Sequence, residues 1–253
     1  MTSTLAERVE RAETVKRPKA YAVLEEYENT GGIVFAHHAV TARRMGANEY
    51  ADGEFGAVSC RRAPWADKYA ESGCVPASDM IHQGWHFECC GCGVRIDYDL
   101  GNDDDRYAEW TPDDVIGYQH SEVFCMQSCE DAHMAEQAER KRVCERAIDR
   151  FRNAILHRFP DAAFISDDRY RGMPHAWASR RHPDRHWRIE QCVVPFTLPD
   201  FEAKYGPISL DYHSSSSWPK DRKPHYTCAG GDKDAFEAYV KAAALKAREA
   251  SGG

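Results

Sequence analysis

Four of the ten cysteines in this chain of 253 residues are spaced as metal ligands. Cys89 and Cys92 form a C-x2-C pair followed directly by Gly93, within the segment HFECCGCG. Cys125 and Cys129 form a C-x3-C pair within the segment VFCMQSCEDAH. Two thiolates this close in sequence reach one ion only where the backbone turns tightly, and glycine permits such a turn. Four thiolates complete the closed tetrahedral shell of a structural zinc ion, so we predict a Zn2+ site at these positions.

The residues around these pairs leave some ligand choices open. The second pair is predicted to lie at the start of a long helix, whose dipole favours thiolate over thiol. His133, one helical turn past Cys129, is an alternative ligand. Cys90 is an extra thiol, which we expect to point away from the metal and to pack under Trp85 or Phe87. An iron–sulfur cluster also takes four cysteines, but the spacing does not match the ferredoxin runs.

The segments ECCGCG and VFCMQSCEDAH resemble the treble-clef zinc finger, in which a knuckle on a hairpin is followed by a second cysteine pair opening a helix. The resemblance covers roughly residues 85–140, and the chain departs from the pattern in its acidic insertion and in Cys90. It implies a zinc ion and a local fold but no activity, because this motif serves many functions. In its short strand-and-helix modules, its single zinc knuckle and its lack of a familiar catalytic motif, the whole chain resembles small accessory proteins encoded by bacteriophages and prophages.

Strand and helix patterns elsewhere predict an α+β protein with small antiparallel or mixed sheets and a long central helix. We predict four parts. They are an N-terminal helix in residues 1–16, a small ββαβ unit in 17–84, the zinc hairpin with an acidic insertion and the long helix in 85–159, and an α+β unit with a terminal helix in 160–253. The long helix should end before Pro160.

Apolar positions recur every three or four residues along the predicted long helix and mark its core-facing side. These positions are Cys144, Ala147, Ile148, Phe151 and Ile155. Four cysteines stand singly in apolar patterns and are expected to be buried small hydrophobes rather than ligands. These are Cys60, Cys144, Cys192 and Cys228.

Charge is unevenly distributed along the chain. The net charge is −8 overall, whereas residues 138–188 hold 13 Lys and Arg against 7 Asp and Glu, a net of +6. The stretch RYRGMPHAWASRRHPDRHWR, residues 169–188, is predicted to be a loop. Arginine binds phosphate in a bidentate manner and aromatic faces stack on bases, so we expect contact with DNA or RNA. The residues proposed for this contact are Arg180, Arg181, Arg185, Arg188, Trp177 and Trp187.

The basic stretch also allows two roles that involve no nucleic acid. The acidic segment that contains residues 103–105, Glu109, Asp113 and Asp114 could neutralise it, or the partner could be a host protein. An enzyme acting on nucleic acid with a structural zinc is the alternative function, in which either of two polar groups would supply the chemistry. These groups are Asp79, His82 and His86, and Asp211 with His213.

The chain lacks the sequence motifs of the commonest enzyme classes, including the Walker A, G-x-G-x-x-G, H-E-x-x-H and G-x-S-x-G patterns. We therefore favour a binding protein over an enzyme. No apolar run approaches the roughly 18 residues that a membrane span needs, and the first residues lack the apolar core of a secretory signal. These features predict a cytoplasmic location, where thiols stay reduced.

Overall fold

The computed structural model describes residues 17–103, 105–165, 173–180, 186–199, 201–214 and 223–251. The helix predicted in residues 1–16 lies outside these ranges. The chain divides between His133 and Met134 into two compact units, which we call the N-terminal and C-terminal units. Both units combine helices with small antiparallel sheets, which confirms the α+β class. Among the described helices, none is both long and apolar enough to cross a membrane.

A three-stranded antiparallel sheet opens the N-terminal unit, with strand order β2-β1-β3. Its elements are β1 (Lys19–Glu25), β2 (Gly31–Ala36), helix α1 (Ala39–Tyr50) and β3 (Val58–Arg62). The order strand, strand, helix, strand is the predicted one. Helix α1 lies close to the sheet because Gly46 faces Val23, and a Cβ at Gly46 would lie 2.1 Å from a methyl group of Val23.

The rest of the N-terminal unit surrounds the first cysteine pair. Its elements are α2 (Ala77–Ile81), β4 (Phe87–Glu88), β5 (Arg95–Ile96) and α3 (Leu100–Asp103). Strands β4 and β5 form the predicted hairpin, with Phe87 opposite Ile96. The buried side chain of Gln119 ties this region to the sheet, because it accepts a hydrogen bond from the Ile33 N–H at 2.7 Å and donates one to the Ile33 carbonyl at 3.1 Å.

Helix α4 (Gln127–Arg158) contains the division between the units. The helix ends before Pro160, as predicted. The C-terminal unit continues with β6 (Ala163–Phe164), β7 (His175–Ser179), β8 (Arg188–Thr197), β9 (Ile208–His213), β10 (His225–Thr227) and α5 (Lys233–Ser251). Strand β8 lies at the centre of a five-stranded antiparallel sheet, where it pairs with β6, β7 and β9.

Strand β7 corrects the prediction that the arginine-rich stretch is a loop. Its five residues, HAWAS, pair with β8 across a register shift after Trp177. The inward positions carry only alanine, Ala176 and Ala178, of which Ala178 is fully buried. Small inward residues give a weak alternation of hydrophobicity, so the pattern of residue types did not reveal the strand.

Four of the five residues of the predicted stripe on the long helix belong to the core of the C-terminal unit, whereas Cys144 is half-buried and lies outside this cluster. Ala147 and Ile155 are buried, and Ile148 and Phe151 pack against the same cluster. The sheet contributes β8 residues that include Val194 and Phe196, which are inaccessible to solvent. A ring contact between Phe159 and Phe196, with centroids 5.9 Å apart, joins the end of the helix to the sheet.

Candidate metal centre

The sulfur atoms of the two predicted cysteine pairs come together in the N-terminal unit. All four Sγ atoms, from Cys89, Cys92, Cys125 and Cys129, lie within 4.8 Å of one another. The Cys125 Sγ lies 3.4 Å from that of Cys129 and 3.8 Å from that of Cys92. A tetrahedron with Zn–S bonds of about 2.3 Å has sulfur atoms about 3.8 Å apart, whereas a disulfide bond is about 2.05 Å long. The spacing therefore suits four ligands around one ion.

The backbone of the hairpin directs the first pair inward. The N–H groups of Cys92 and Cys125 both point at the Cys89 Sγ, at 3.5 and 3.4 Å. The Gly93 N–H donates to the Cys89 carbonyl at 2.8 Å, which closes the turn. Gly93 has φ +73°, a left-handed conformation that favours glycine. The turn thus shapes the pair and supplies one of the two N–H donors that stabilise a thiolate at Cys89, and Cys125 supplies the other.

Gly91 has a different role, because it lets the turn approach the start of helix α4. A Cβ added at Gly91 would lie 2.9 Å from the Cys129 carbonyl oxygen and 3.1 Å from the Cys129 Cβ. A side chain at position 91 would therefore crowd Cys129, and glycine lets the two pairs approach each other without this clash. Helix α4 begins at Gln127, so Cys129 lies in its first turn and Cys125 precedes it by two residues. The prediction that both cysteines of this pair lie within the helix is wrong for Cys125.

Two aromatic residues of the acidic insertion complete the surroundings of the sulfur cluster. The Tyr107 hydroxyl lies 3.5 Å from the Cys92 Sγ, and the Trp110 Nε1 donates to the Cys125 carbonyl at 2.7 Å. Both side chains are buried in the same hydrophobic cluster as Cys89 and Cys125. The sequence analysis does not predict this role, because the insertion is rich in acidic residues. Its only signal was the presence of two aromatic residues among the acidic ones.

The thiols of Cys92, Cys125 and Cys129 differ in pKa. Burial opposes ionisation of Cys92, but hydrogen bonds from Tyr107 and the Val94 backbone outweigh it and lower the Cys92 pKa to about 7. Burial raises the pKa of Cys129 to about 11, and it raises the pKa of Cys125 further. A thiolate is the metal-binding form, so a divalent cation must displace protons from these groups when it binds. Soft sulfur donors in a tetrahedral set suit zinc.

The remaining candidate ligands lie outside the sulfur cluster. Cys90 is exposed, so the expectation that it packs under Trp85 or Phe87 is wrong. The tight turn accounts for this, since the Cys90 N–H donates to the Val123 carbonyl while its side chain faces solvent. His133 packs against the ring of Phe124, with centroids 5.3 Å apart. The metal-ligating group found among the described residues contains neither of them.

The groups considered for catalysis do not form a metal-ligating set in the described part of the chain. Asp79 accepts a hydrogen bond from Tyr69 and pairs with Lys68 at 2.8 Å. His82 lies 3.1 Å from the carboxylate of Asp113. In the C-terminal unit, Asp211 accepts a hydrogen bond from Thr227 at 2.6 Å. These contacts are ordinary ion pairs and hydrogen bonds, and they do not assemble a nucleophile with a base.

Of the six residues proposed for nucleic-acid contact, the four that the structure describes occupy different environments. The Arg180 side chain is 17% exposed, pairs with Glu136 at 2.8 Å, and lies 4.9 Å above the ring of Trp187. The Trp187 Nε1 is buried and has no hydrogen-bond partner among the described residues. Trp177, in contrast, is 54% exposed, and the Arg188 side chain is 52% exposed. Arg181 and Arg185 lie outside the described residues.

Comparisons of the chain with protein-family models, with curated proteins and with solved structures find no match. The structure therefore supports, on its own geometry, a cluster of four cysteines that is able to hold a metal ion.

Proposed function

We propose that this chain is a zinc-stabilised binding protein, in which Cys89, Cys92, Cys125 and Cys129 hold one structural Zn2+ ion. The observation that carries the proposal is the convergence of four sulfur atoms within 4.8 Å. A site filled by four protein ligands has no open coordination position for a substrate or water. The zinc ion would therefore stabilise the fold rather than take part in a reaction.

A treble-clef arrangement is the local fold we propose around the ion. The support comes from the order of elements, because the β4–β5 hairpin carries the first pair and the second pair lies at the start of helix α4. Each pair alone would leave the hairpin or the helix start weakly held. A shared ion would join them, together with the buried cluster that contains Trp110 and Phe124.

Nucleic acid is the partner we propose, bound through the cations of the C-terminal unit. Helix α4 exposes five cations that have no ion pair to any other described residue. They are Arg140, Lys141, Arg142, Arg146 and Arg150. When such cations neutralise phosphates, they displace the counterions condensed on the nucleic acid, and this release is the main source of non-specific affinity.

Metal analysis and salt-dependent binding together test the proposal. We expect about one zinc per purified chain by elemental analysis, and a folded chain without metal, or one with iron absorption, would contradict the metal assignment. Binding to a 20-nucleotide DNA at low salt should weaken steeply as salt is raised. Arg142→Gln/Arg146→Gln should reduce the slope of log K against log salt by up to about two.

A matched control removes two cations from the N-terminal unit. Lys19 and Arg61 are exposed on β1 and β3, so Lys19→Gln/Arg61→Gln makes the same change in net charge at another place. We expect the slope of this control to remain that of the wild-type protein. If the wild-type protein binds neither single-stranded nor double-stranded DNA at low salt, the nucleic-acid proposal fails, and an acidic protein becomes the preferred partner.

A further inference from the structure

A groove lies in the C-terminal unit between the first half of helix α4 and strand β7. It has a volume of about 570 Å³, within the range of small-molecule sites. Helix residues spaced by three and four positions form one wall, and two residues of β7 form the other. The lining residues are Met134, Gln137, Ala138, Arg140, Lys141, Cys144, Ala176 and Trp177.

The groove combines an open aromatic face with positive charge. Trp177 is 54% exposed and Met134 is 56% exposed, so two large apolar side chains face solvent at its walls. Arg140 and Lys141 are exposed beside them, and neither is paired with a carboxylate among the described residues. No described residue that lines the groove is acidic. Such a surface is complementary to an anion that carries a flat apolar group.

Trp187, the second tryptophan of the arginine-rich stretch, has a cation over one face of its ring. Arg180 covers the ring of Trp187 at 4.9 Å, and Glu136 neutralises that arginine. Trp177 has no such cover: the cation–π contacts of the described residues include Trp187 but not Trp177. Of these two rings, Trp177 is therefore the more exposed, and among the described residues no cation lies over it.

We propose that this groove binds single-stranded nucleic acid, with an unpaired base stacked on Trp177 and the flanking phosphates contacted by Arg140 and Lys141. The inference rests on the proposed function and assigns it a position and a strand preference. Stacking on an aromatic side chain needs an exposed base face, which a duplex hides and a single strand offers. Alanine substitution at such a platform weakens binding by about 5- to 150-fold per base.

A comparison of normal and abasic strands separates stacking from charge. We would measure equilibrium binding of the full-length zinc-loaded protein to a fluorescein-labelled dT 20-mer and to an abasic 20-mer with the same phosphates. Trp177→Ala should bind the dT strand about tenfold more weakly and the abasic strand with unchanged affinity. Trp177→Phe keeps an aromatic face and should retain most of the affinity for dT.

Two further variants test residues inside and outside the groove. Arg140→Ala/Lys141→Ala should weaken binding of both strands and lower the salt slope by up to about two. Tyr205, which is 70% exposed in the same unit, lies outside the groove, so Tyr205→Ala should bind both strands as the wild-type protein does. Circular dichroism of each variant checks that the fold is retained.

Failure of this inference differs from failure of the proposed function. If the wild-type protein binds both strands but Trp177→Ala weakens neither, or weakens both equally, the stacking site is wrong while nucleic-acid binding stands. If the wild-type protein binds neither strand, both ideas fail. If poly-glutamate displaces the dT strand at the same residue concentration, the groove accepts acidic peptides, and the proposal of a base-stacking site is overturned.

Discussion

The cysteine centre and the arginine-rich stretch were both predicted from residue types and spacing, and their structures differ in an instructive way. All four predicted sulfur atoms meet within 4.8 Å. Of the six predicted arginine and tryptophan residues, the four that the structure describes occupy two kinds of environment. Trp177 and Arg188 face solvent, whereas Arg180 and Trp187 are used by internal contacts.

The difference arises because the cysteine spacing constrains the local backbone geometry, whereas the number of arginines does not. A C-x2-C pair with glycine fixes the distance between two sulfur atoms through a few backbone angles, so the spacing carries the geometry. The number of arginines in a stretch determines its charge but not which side chains contact them. One glutamate on a nearby helix is sufficient to neutralise Arg180, and nothing in residues 169–188 indicates that Glu136 will do so.

Removal of one ligand should give the largest effect and tests the cysteine side of the comparison. We expect Cys129→Ser to lose zinc and to unfold the hairpin and the start of helix α4, because structural zinc contributes on the order of 10 kcal/mol to folded metal sites. Elemental analysis gives the zinc content, and hydrogen exchange of residues 85–130 reports the local unfolding. An excess of a zinc chelator should reproduce the effect in the wild-type protein.

The neighbouring thiol provides a stringent control for this experiment. Cys90 is exposed and lies outside the metal-ligating group, although it follows Cys89 directly. Cys90→Ser should therefore retain a full zinc content and wild-type stability. A loss of zinc in Cys90→Ser, with retention in Cys129→Ser, would show that the ligand set is wrong.

The close approach of the two pairs predicts a smaller effect at Gly91. Gly91→Ala would place a Cβ 2.9 Å from the Cys129 carbonyl oxygen, and this backbone atom cannot move without shifting the helix start. We expect a loss of about 1–3 kcal/mol in the free energy of unfolding, typical of overpacking. Urea denaturation of the zinc-loaded protein measures it.

Gly56→Ala is the matched control for this substitution. A Cβ at Gly56 meets no atom of the described residues within 4 Å, so the same change of residue should alter stability by no more than about 0.5 kcal/mol. Equal stability losses in the two variants would mean that the approach of the turn to helix α4 does not constrain position 91.

The extent of sequence-based prediction can be judged from particular residues. The hairpin that carries the first cysteine pair, most of the core stripe of helix α4 and the strands with strong alternation were predicted, because each depends on local periodicity or spacing. Tyr107 and Trp110 were not predicted as neighbours of the sulfur cluster, because their contacts with Cys92 and with the Cys125 carbonyl bridge 15 positions of the chain. Strand β7 was missed because its inward positions are alanines, and its place depends on pairing with β8.

The smallest predicted effect tests the arginine side of the comparison. Arg180→Ala removes an ion pair with Glu136 and a cation–π contact with Trp187, and together these should cost about 1 kcal/mol of stability. Arg188→Ala removes a half-exposed side chain whose nearest carboxylate contact, to Glu190, is 4.0 Å, and it should cost less than about 0.5 kcal/mol. Urea denaturation of Arg180→Ala, Glu136→Gln and the double variant Arg180→Ala/Glu136→Gln forms a double-mutant cycle for the Arg180 pair, and Arg188→Ala is measured in the same way.

Binding measurements on the same variants decide which role Arg180 has. If its charge is used internally, Arg180→Ala should change affinity for single-stranded DNA by less than about threefold, because Glu136 already neutralises it at 2.8 Å. Glu136→Gln should then strengthen binding, since it leaves the guanidinium without its carboxylate partner near the phosphates. A tenfold loss of affinity in Arg180→Ala, with unchanged stability, would place Arg180 in the binding surface and remove the difference we draw between the exposed and the internally used residues of the arginine-rich stretch.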